Sequence, residues 1–200
     1  MTLVERMLEH TPVYRLWQAP FAEQKFAPIS VHNDLRSLRR VLDMGCGPGT
    51  NTGYFAHVDY LGIDFNKRYV ESARRKHRRE FMVADVRDYR AEAGEKFDFI
   101  LANSFLHHLN TEDVLEILSH LRSLLTEDGY LHALELVMPE DKSIAHLLAK
   151  WDRGDFARPG TEWQTILGTF FEPVVIEYYP LTLMGITLWN MVYFKGRPRI

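Results

Sequence analysis

The run from Arg40 to Thr50 restricts the fold of this chain more than any other stretch. Val41 and Leu42 read as the end of a buried strand. Gly45, Gly47 and Gly49 then let the backbone turn sharply and pass close to a ligand, and a helix is expected from about Thr50. A strand, glycine turn and helix in this order hold a nucleotide when strand ends of an open parallel sheet form a crevice lined by backbone N–H groups. An isolated run of this kind is equally a tight turn in an α/β domain. A second apolar strand, Tyr60 to Asp64, follows and ends in a carboxylate. That lies about 20 residues on, the spacing at which an acid reaches ribose hydroxyls.

Two hundred residues with 46% apolar and 12% aromatic content suffice for one domain with a sizeable core. Acidic residues outnumber basic ones 27 to 24, so no whole-chain field favours nucleic acid or an anionic membrane. The dense basic run, Arg74 to Arg79, falls at the expected end of a helix, where cations meet the last carbonyls favourably, so a solvated helix end is expected there, with a polyanion patch as the alternative. Cys46 is the sole cysteine, which excludes an internal disulfide and fits a reducing compartment. With no leader-like N-terminus and no run of about 18 apolar residues, the expected location is cytoplasmic, without membrane insertion.

Along the chain, Leu3, Val4, Met7 and Leu8 recur at helical spacing, and Pro12 is expected to end that helix. The aromatics Tyr14, Trp17, Phe21 and Phe26 either pack helices onto the sheet or close over a ligand. From Val41 onward apolar runs alternate with helical patterns, which indicates βα units and a parallel sheet. Strands are predicted near 39–43, 58–63, 80–84, 97–103 and 129–137, with a helix from Thr111 to Leu125 whose stripe is core. The last two apolar runs, Pro173 to Pro180 and Ile186 to Phe194, are joined by too few residues for a parallel crossover and should form an antiparallel hairpin.

Val41 to Thr50 resembles motif I of the class I S-adenosylmethionine-dependent methyltransferases, with Gly-x-Gly-x-Gly rather than the Gly-x-Gly-x-x-Gly of dinucleotide-binding dehydrogenases. Asp64 resembles that family's ribose-binding acid. Ala84 to Val86 resembles the next motif, Phe97 to Asn103 the fourth strand, and Leu106 to Leu109 the segment after it, so the likeness runs in order to about Val137. The resemblance implies a doubly wound, mostly parallel seven-stranded α/β sheet closed by the hairpin. Within one domain it implies an N-terminal helical lid over 1–38, a cofactor-binding core over 39–137, a substrate-side helical segment over 138–172 and the hairpin over 173–195.

It also implies S-adenosylmethionine as cofactor, held by Asp43, Gly45, Cys46, Gly47, Gly49, Asp64, Asp85, Val86 and Asn103. Asp64 would accept from the ribose hydroxyls and Asp85 from the adenine amino group, with the Val86 N–H against the ring. Asp43 would orient the loop and the methionine end, and the Asn103 carbonyl would meet the cofactor's amino group. Each has a structural alternative: Asp64 as a helix cap, Asp85 and Asn103 as turn caps, Cys46 as filler under the turn.

Methyl transfer needs donor and acceptor aligned with water excluded more than it needs many catalytic side chains. His107 and His108 are the candidate bases for a hydroxyl acceptor, since a histidine titrates near neutrality; a cap and a surface residue are their alternative roles. Glu135, on the fifth strand, is a second candidate base, with a place at the core edge as its alternative. No His/Asp/Glu cluster has metal-ligand spacing. Asn103 to Leu106 lacks the prolines of the motif with which DNA amino-methyltransferases stack a flipped base, which disfavours nucleic acid. Trp17, Phe21, Trp151, Phe156 and Trp163 point to a small apolar or lipid-like methyl acceptor as partner. The alternatives are a non-catalytic S-adenosylmethionine- or nucleoside-binding protein or partner subunit, and an NAD-dependent reductase.

Overall fold

The computed structural model describes residues 21–92, 94–151 and 156–199. The helix expected around Leu3 to Leu8, together with Tyr14 and Trp17, lies outside them. Strands β1 (Arg40–Met44), β2 (Asp59–Asp64), β3 (Glu80–Val83), β4 (Phe97–Asn103), β5 (Leu125–Val137), β6 (Phe171–Leu183) and β7 (Ile186–Pro198) form one sheet in the order β3-β2-β1-β4-β5-β7-β6. The pairs from β3 through β5 are parallel, and β7 is antiparallel to both β5 and β6. Strand order reverses between β1 and β4, the position at which open α/β sheets bind ligands beyond their carboxyl ends.

Alternation along the strands divides the core in two. Leu42, Met44, Ile100, Ala102, Leu131 and Ala133 face α3 (Thr111–Leu124) and α5 (Gly160–Gly168), which contribute Leu118, Leu121 and Trp163, and α4 (Ile144–Trp151) lies between these two helices in the chain. Val41, Phe99, Leu101, Leu134 and Tyr193 face the other way, onto Phe26 and Ile29 of α1 (Ala22–His32) and Val70 and Ala73 of α2 (Lys67–Lys76). This two-sided burial is why the central strands read as continuous apolar runs.

Three expectations change. The helix after the glycine loop is only a 3₁₀ turn, Thr52–Phe55, because β2 begins at Asp59 and leaves no length for a full helix. The fifth strand starts at Leu125, directly after α3, with a register shift opposite Phe97 and Phe99. The hairpin is longer than predicted, and Met184 and Gly185, both at positive φ (50° and 77°), make its two-residue turn.

The basic run is also tied down in part. Arg74 donates to the Phe81 carbonyl and Arg79 to that of Val58, which fastens α2 to the sheet.

The described part of the predicted lid is docked on the sheet. Gln24 exchanges two hydrogen bonds with Thr182, His32 meets Glu177 at 2.8 Å, and Tyr179 donates to the Lys25 carbonyl. Phe26 stacks on Tyr54 at 3.7 Å, so α1 buttresses the turn after the glycine loop. Of the aromatics expected over an acceptor, Phe21 is buried against Trp189, and Trp163 is fully buried with its indole N–H on the Leu136 carbonyl. These two are core residues because their ring surface fills the space between helix and sheet. Trp151 and Phe156 are exposed.

Candidate active site

The loop after β1 is built for a sharp reversal. Gly45, Gly47 and Gly49 have φ of 64°, 54° and 80°, a region that L side chains rarely adopt. A Cβ at Gly45 would meet the Phe105 ring at 3.1 Å and one at Gly49 would meet His77 at 2.8 Å, whereas one at Gly47 meets nothing within 4 Å. The open side of the loop therefore lies at Gly47.

Cys46 is committed to the fold. Its N–H donates to the Ile63 carbonyl, its carbonyl accepts from Gly49, and its thiol is buried, which pushes the thiol's pKa up. It shapes the loop from beneath.

Asp64, at the end of β2, accepts from the N–H of Gly47 at 2.9 Å and of Asn66 at 2.8 Å. Burial raises its pKa, and these two N–H groups pull it back. A carboxylate has about four acceptor positions, so both oxygens keep capacity for a ligand's hydroxyls. The predicted helix cap is Asn66 instead, whose side chain accepts from Arg68 and Tyr69.

Asp43 is fully buried and accepts from Tyr60 Oη at 2.7 Å and from Asn51 Nδ2 at 3.4 Å. Desolvation raises its pKa to about 7, against the Tyr60 and Asn51 hydrogen bonds. Asn51 in turn accepts from Asn103 Nδ2 at 3.1 Å. Asp43 and Asn103 thus meet through Asn51, which sequence reasoning missed. The only available signal was its place two residues beyond Gly49.

Asp85 and Val86 follow β3. Arg87 donates to the Asp85 carboxylate through its backbone N–H, Nε and Nη2, and this pairing lowers the acid's pKa. Arg87 also reaches Asp113 at the start of α3. Val86 is half-buried against the core.

His107 and His108 sit on a 3₁₀ turn, Leu106–His108, entered through Ser104 at φ 55°. A non-glycine residue there stores strain of about 1–3 kcal/mol. Their rings are 4.3 Å apart; His107 is buried and His108 exposed. The His107 Nδ1 lies 2.7 Å from Glu135 Oε2, and Glu135, fully buried, also accepts from the N–H groups of Phe105, Leu106 and His107. Glu135 is therefore a cap for this turn and not a base open to an acceptor.

Arg158 is buried. It donates to the carbonyls of Phe156 and Leu109 and pairs with Glu162 at 3.2 Å, joining the chain before α5 to the loop before α3. Asp152, Arg153 and Asp155 lie outside the described residues. Among the described residues no cluster of His, Cys, Asp and Glu has the arrangement of a metal site.

A cavity of about 300 Å³ opens just beyond β5, lined by Val137, Met138, Pro139, Pro159, Gln164 and Tyr178 among others.

The methyltransferase domain family model matches residues 41–129. A trans-aconitate 2-methyltransferase of Escherichia fergusonii is 30% identical over 201 residues, covering 96% of this chain and 75% of that protein. The chain belongs to the class I S-adenosylmethionine-dependent methyltransferases. A trans-aconitate 2-methyltransferase of Escherichia coli strain SE11 is 33% identical over 173 residues, covering 82% of this methyltransferase and 64% of the other. The fold is shared with magnesium protoporphyrin IX methyltransferase from Synechocystis PCC 6803 with bound S-adenosylhomocysteine, at TM-score 0.69 and 19% identity over 97% and 98% of the two chains. It is shared too with mitomycin 7-O-methyltransferase, at TM-score 0.70 and 15% identity over 98% of this chain and 61% of that one.

The methyltransferase's cofactor is S-adenosylmethionine, and the residues present fit it. The face at Gly47 is open where a side chain would fill it, and the carboxylate beside it keeps acceptor positions.

Proposed function

We propose that this methyltransferase modifies a small molecule with an apolar body at an oxygen, in the space beyond the carboxyl ends of β4 and β5. The bound cofactor supplies an electrophilic methyl group on a sulfonium. The chain's own residues hold both partners and handle one proton.

In this reading Asp64 accepts from the ribose hydroxyls and the open face of Gly47 takes the adjoining part of the cofactor. Asp85 keeps an acceptor position beside its Arg87 clamp for the adenine amino group, and Val86 walls the ring. Asp43 and Asn103, through Asn51, hold the loop and the strand end at the methionine side. His107 or His108 takes the proton from a hydroxyl acceptor. The observation that carries the cofactor assignment is the Gly47 to Asp64 hydrogen bond beside that open face.

For the acceptor, the cavity beyond β5 is lined mainly by apolar and neutral groups, with Glu140 as its charged residue and no lysine or arginine among the described lining residues. Arg158, the nearby buried cation, is already engaged by carbonyls and Glu162. That supports a neutral acceptor. The trans-aconitate 2-methyltransferase relatives favour a second reading, a carboxylic acid acceptor, which being already ionised needs no base.

The deciding experiment is transfer of labelled methyl from S-adenosylmethionine to a panel of trans-aconitate, substituted phenols and medium-chain alcohols. Preference for phenols or alcohols supports the first reading, preference for trans-aconitate the second. S-adenosylmethionine binding without transfer to any member of this panel would count against both. We place the enzyme in the cytoplasm, acting without nucleic acid or membrane insertion. No described helix is long and apolar enough to cross a membrane.

A further inference from the structure

We infer that Tyr178 is a specificity-determining residue: its phenol donates a hydrogen bond, inside the cavity beyond β5, to a second, uncharged oxygen on the body of the acceptor. This rests on the proposed reading that the cavity receives the acceptor, and it adds the polar atom that the acceptor must carry.

The sheet places the ring. Tyr178 of β6 pairs with Val192 of β7, and Val192 pairs with Glu135 of β5, so the three side chains share one face at one level of the sheet. Val192 is buried there in the core that holds Trp163 of α5. Tyr178, one strand further out, is 48% exposed and lines the cavity.

Two contacts fix the phenol. A Cβ at Gly160 would meet Tyr178 Cε1 at 2.5 Å and Oη at 2.7 Å, so the tip of the ring rests on the first residue of α5, and only glycine leaves it that seat. One turn further along α5, Gln164 Nε2 donates to Tyr178 Oη at 2.8 Å. Gly160 and Gln164 therefore act through Tyr178, by setting where its oxygen sits.

The hydroxyl's own chemistry gives the direction. A phenol has one O–H donor and two lone pairs; Gln164 takes a lone pair, so the hydrogen turns to another acceptor. The cavity's other polar side chains do not duplicate this. Gln164 has its amide on Tyr178, Thr161 is exposed, and the Glu140 carboxylate accepts. Among the described residues, Tyr178 is the side chain that brings a neutral donor beside the apolar walls of Val137, Met138, Pro139 and Pro159. A site with such a donor discriminates against an analogue that lacks the matching atom, because the donor is then left without its partner. For a neutral, half-exposed group the discrimination is that of one net hydrogen bond, roughly two- to tenfold.

Ligand-observed NMR on the full chain saturated with S-adenosylhomocysteine reads binding without turnover. The probes are the ortho, meta and para methoxyphenols against the corresponding ethylphenols, each pair matched in shape and differing by one ether oxygen. The wild type should bind at least one methoxyphenol roughly two- to tenfold more tightly than its ethyl counterpart. Tyr178→Phe keeps the ring on Gly160 and should lose that preference, with S-adenosylhomocysteine bound as in the wild type. Gly160→Ala should lose it too, since the methyl group displaces the phenol at a position where alanine carries no left-handed strain. A packing role alone would leave the ratio between paired probes unchanged in Tyr178→Phe.

A methoxyphenol preference with no labelled methyl reaching any phenol supports the Tyr178 contact and counts against oxygen transfer in this cavity, so the two failures are told apart. If Gly160→Ala does not fold, Tyr178→Phe decides. Equal binding within every pair by the wild type, or binding of none of the probes, overturns the inference, as does a preference that survives in either folded variant.

Discussion

The backbone N–H of Gly47 donates to the carboxylate of Asp64 at 2.9 Å, so the middle of the glycine loop and the acid at the end of β2 are one structural unit. A buried carboxylate is costly to ionise, and this bond with the one from Asn66 offsets part of that cost. Loop shape and acid position are therefore coupled: a change at either residue disturbs the other.

The loop glycines separate fold from binding. Gly47→Ala places a methyl group in open space, so its cost to the fold is the left-handed backbone, about 1–2 kcal/mol. The same methyl occupies the ligand face and should weaken S-adenosylhomocysteine by at least about tenfold, or ~1.4 kcal/mol. Gly62→Ala is the contrasting case, since its Cβ would meet Phe81 at 2.7 Å inside the core and should lower stability more. Urea unfolding and calorimetry on both variants check this, and wild-type affinity in Gly47→Ala would move the ligand away from the loop.

Asp43 gives the enzyme a pH dependence. Its folded pKa, about 7, lies above the ordinary 3.8, so between those values the native state holds a proton that the unfolded chain releases. Stability from this group falls as pH rises through that window, and the full penalty, at most ~4 kcal/mol, is present above it. Asp43→Asn removes the ionisation and keeps an acceptor for Tyr60. Between pH 5 and pH 8 the wild type should lose more unfolding free energy than Asp43→Asn; equal losses in the two proteins would refute the buried ionisation.

Helix α1 behaves as a buttress. Phe26 is 1% exposed and stacked on Tyr54, so Phe26→Ala should cost about 3–5 kcal/mol. Amide exchange over 22–32 should be slow before any cofactor is added. Fast exchange there that slows only with S-adenosylhomocysteine would instead give this helix a closing role.

Much of the fold was legible because two-sided burial writes continuous apolar runs, and because the few residues between Pro180 and Ile186 permit only an antiparallel hairpin. The short turn at Thr52–Phe55 was not, since glycine-loop patterning signals a helix start but not its length. The acids were readable by spacing, while Asn51 was not, because its role exists only where β1 and β4 bring Asp43 and Asn103 within reach of it. Aromatic content alone did not separate core from acceptor wall at Phe21 and Trp163, whose burial depends on what packs above them. Glu135 read as a candidate base on strand position alone; its three backbone donors come from a turn about 30 residues away in sequence.

Calorimetric titration of S-adenosylhomocysteine into the wild type and Asp64→Ala tests the cofactor site most directly. Loss of hydrogen bonds to a charged acceptor, roughly 1.5–3 kcal/mol, should weaken binding about ten- to hundredfold in the variant, provided unfolding shows it still folded. Equal affinity in the two proteins, or no binding to the wild type, would contradict the assignment of this loop and acid to the cofactor.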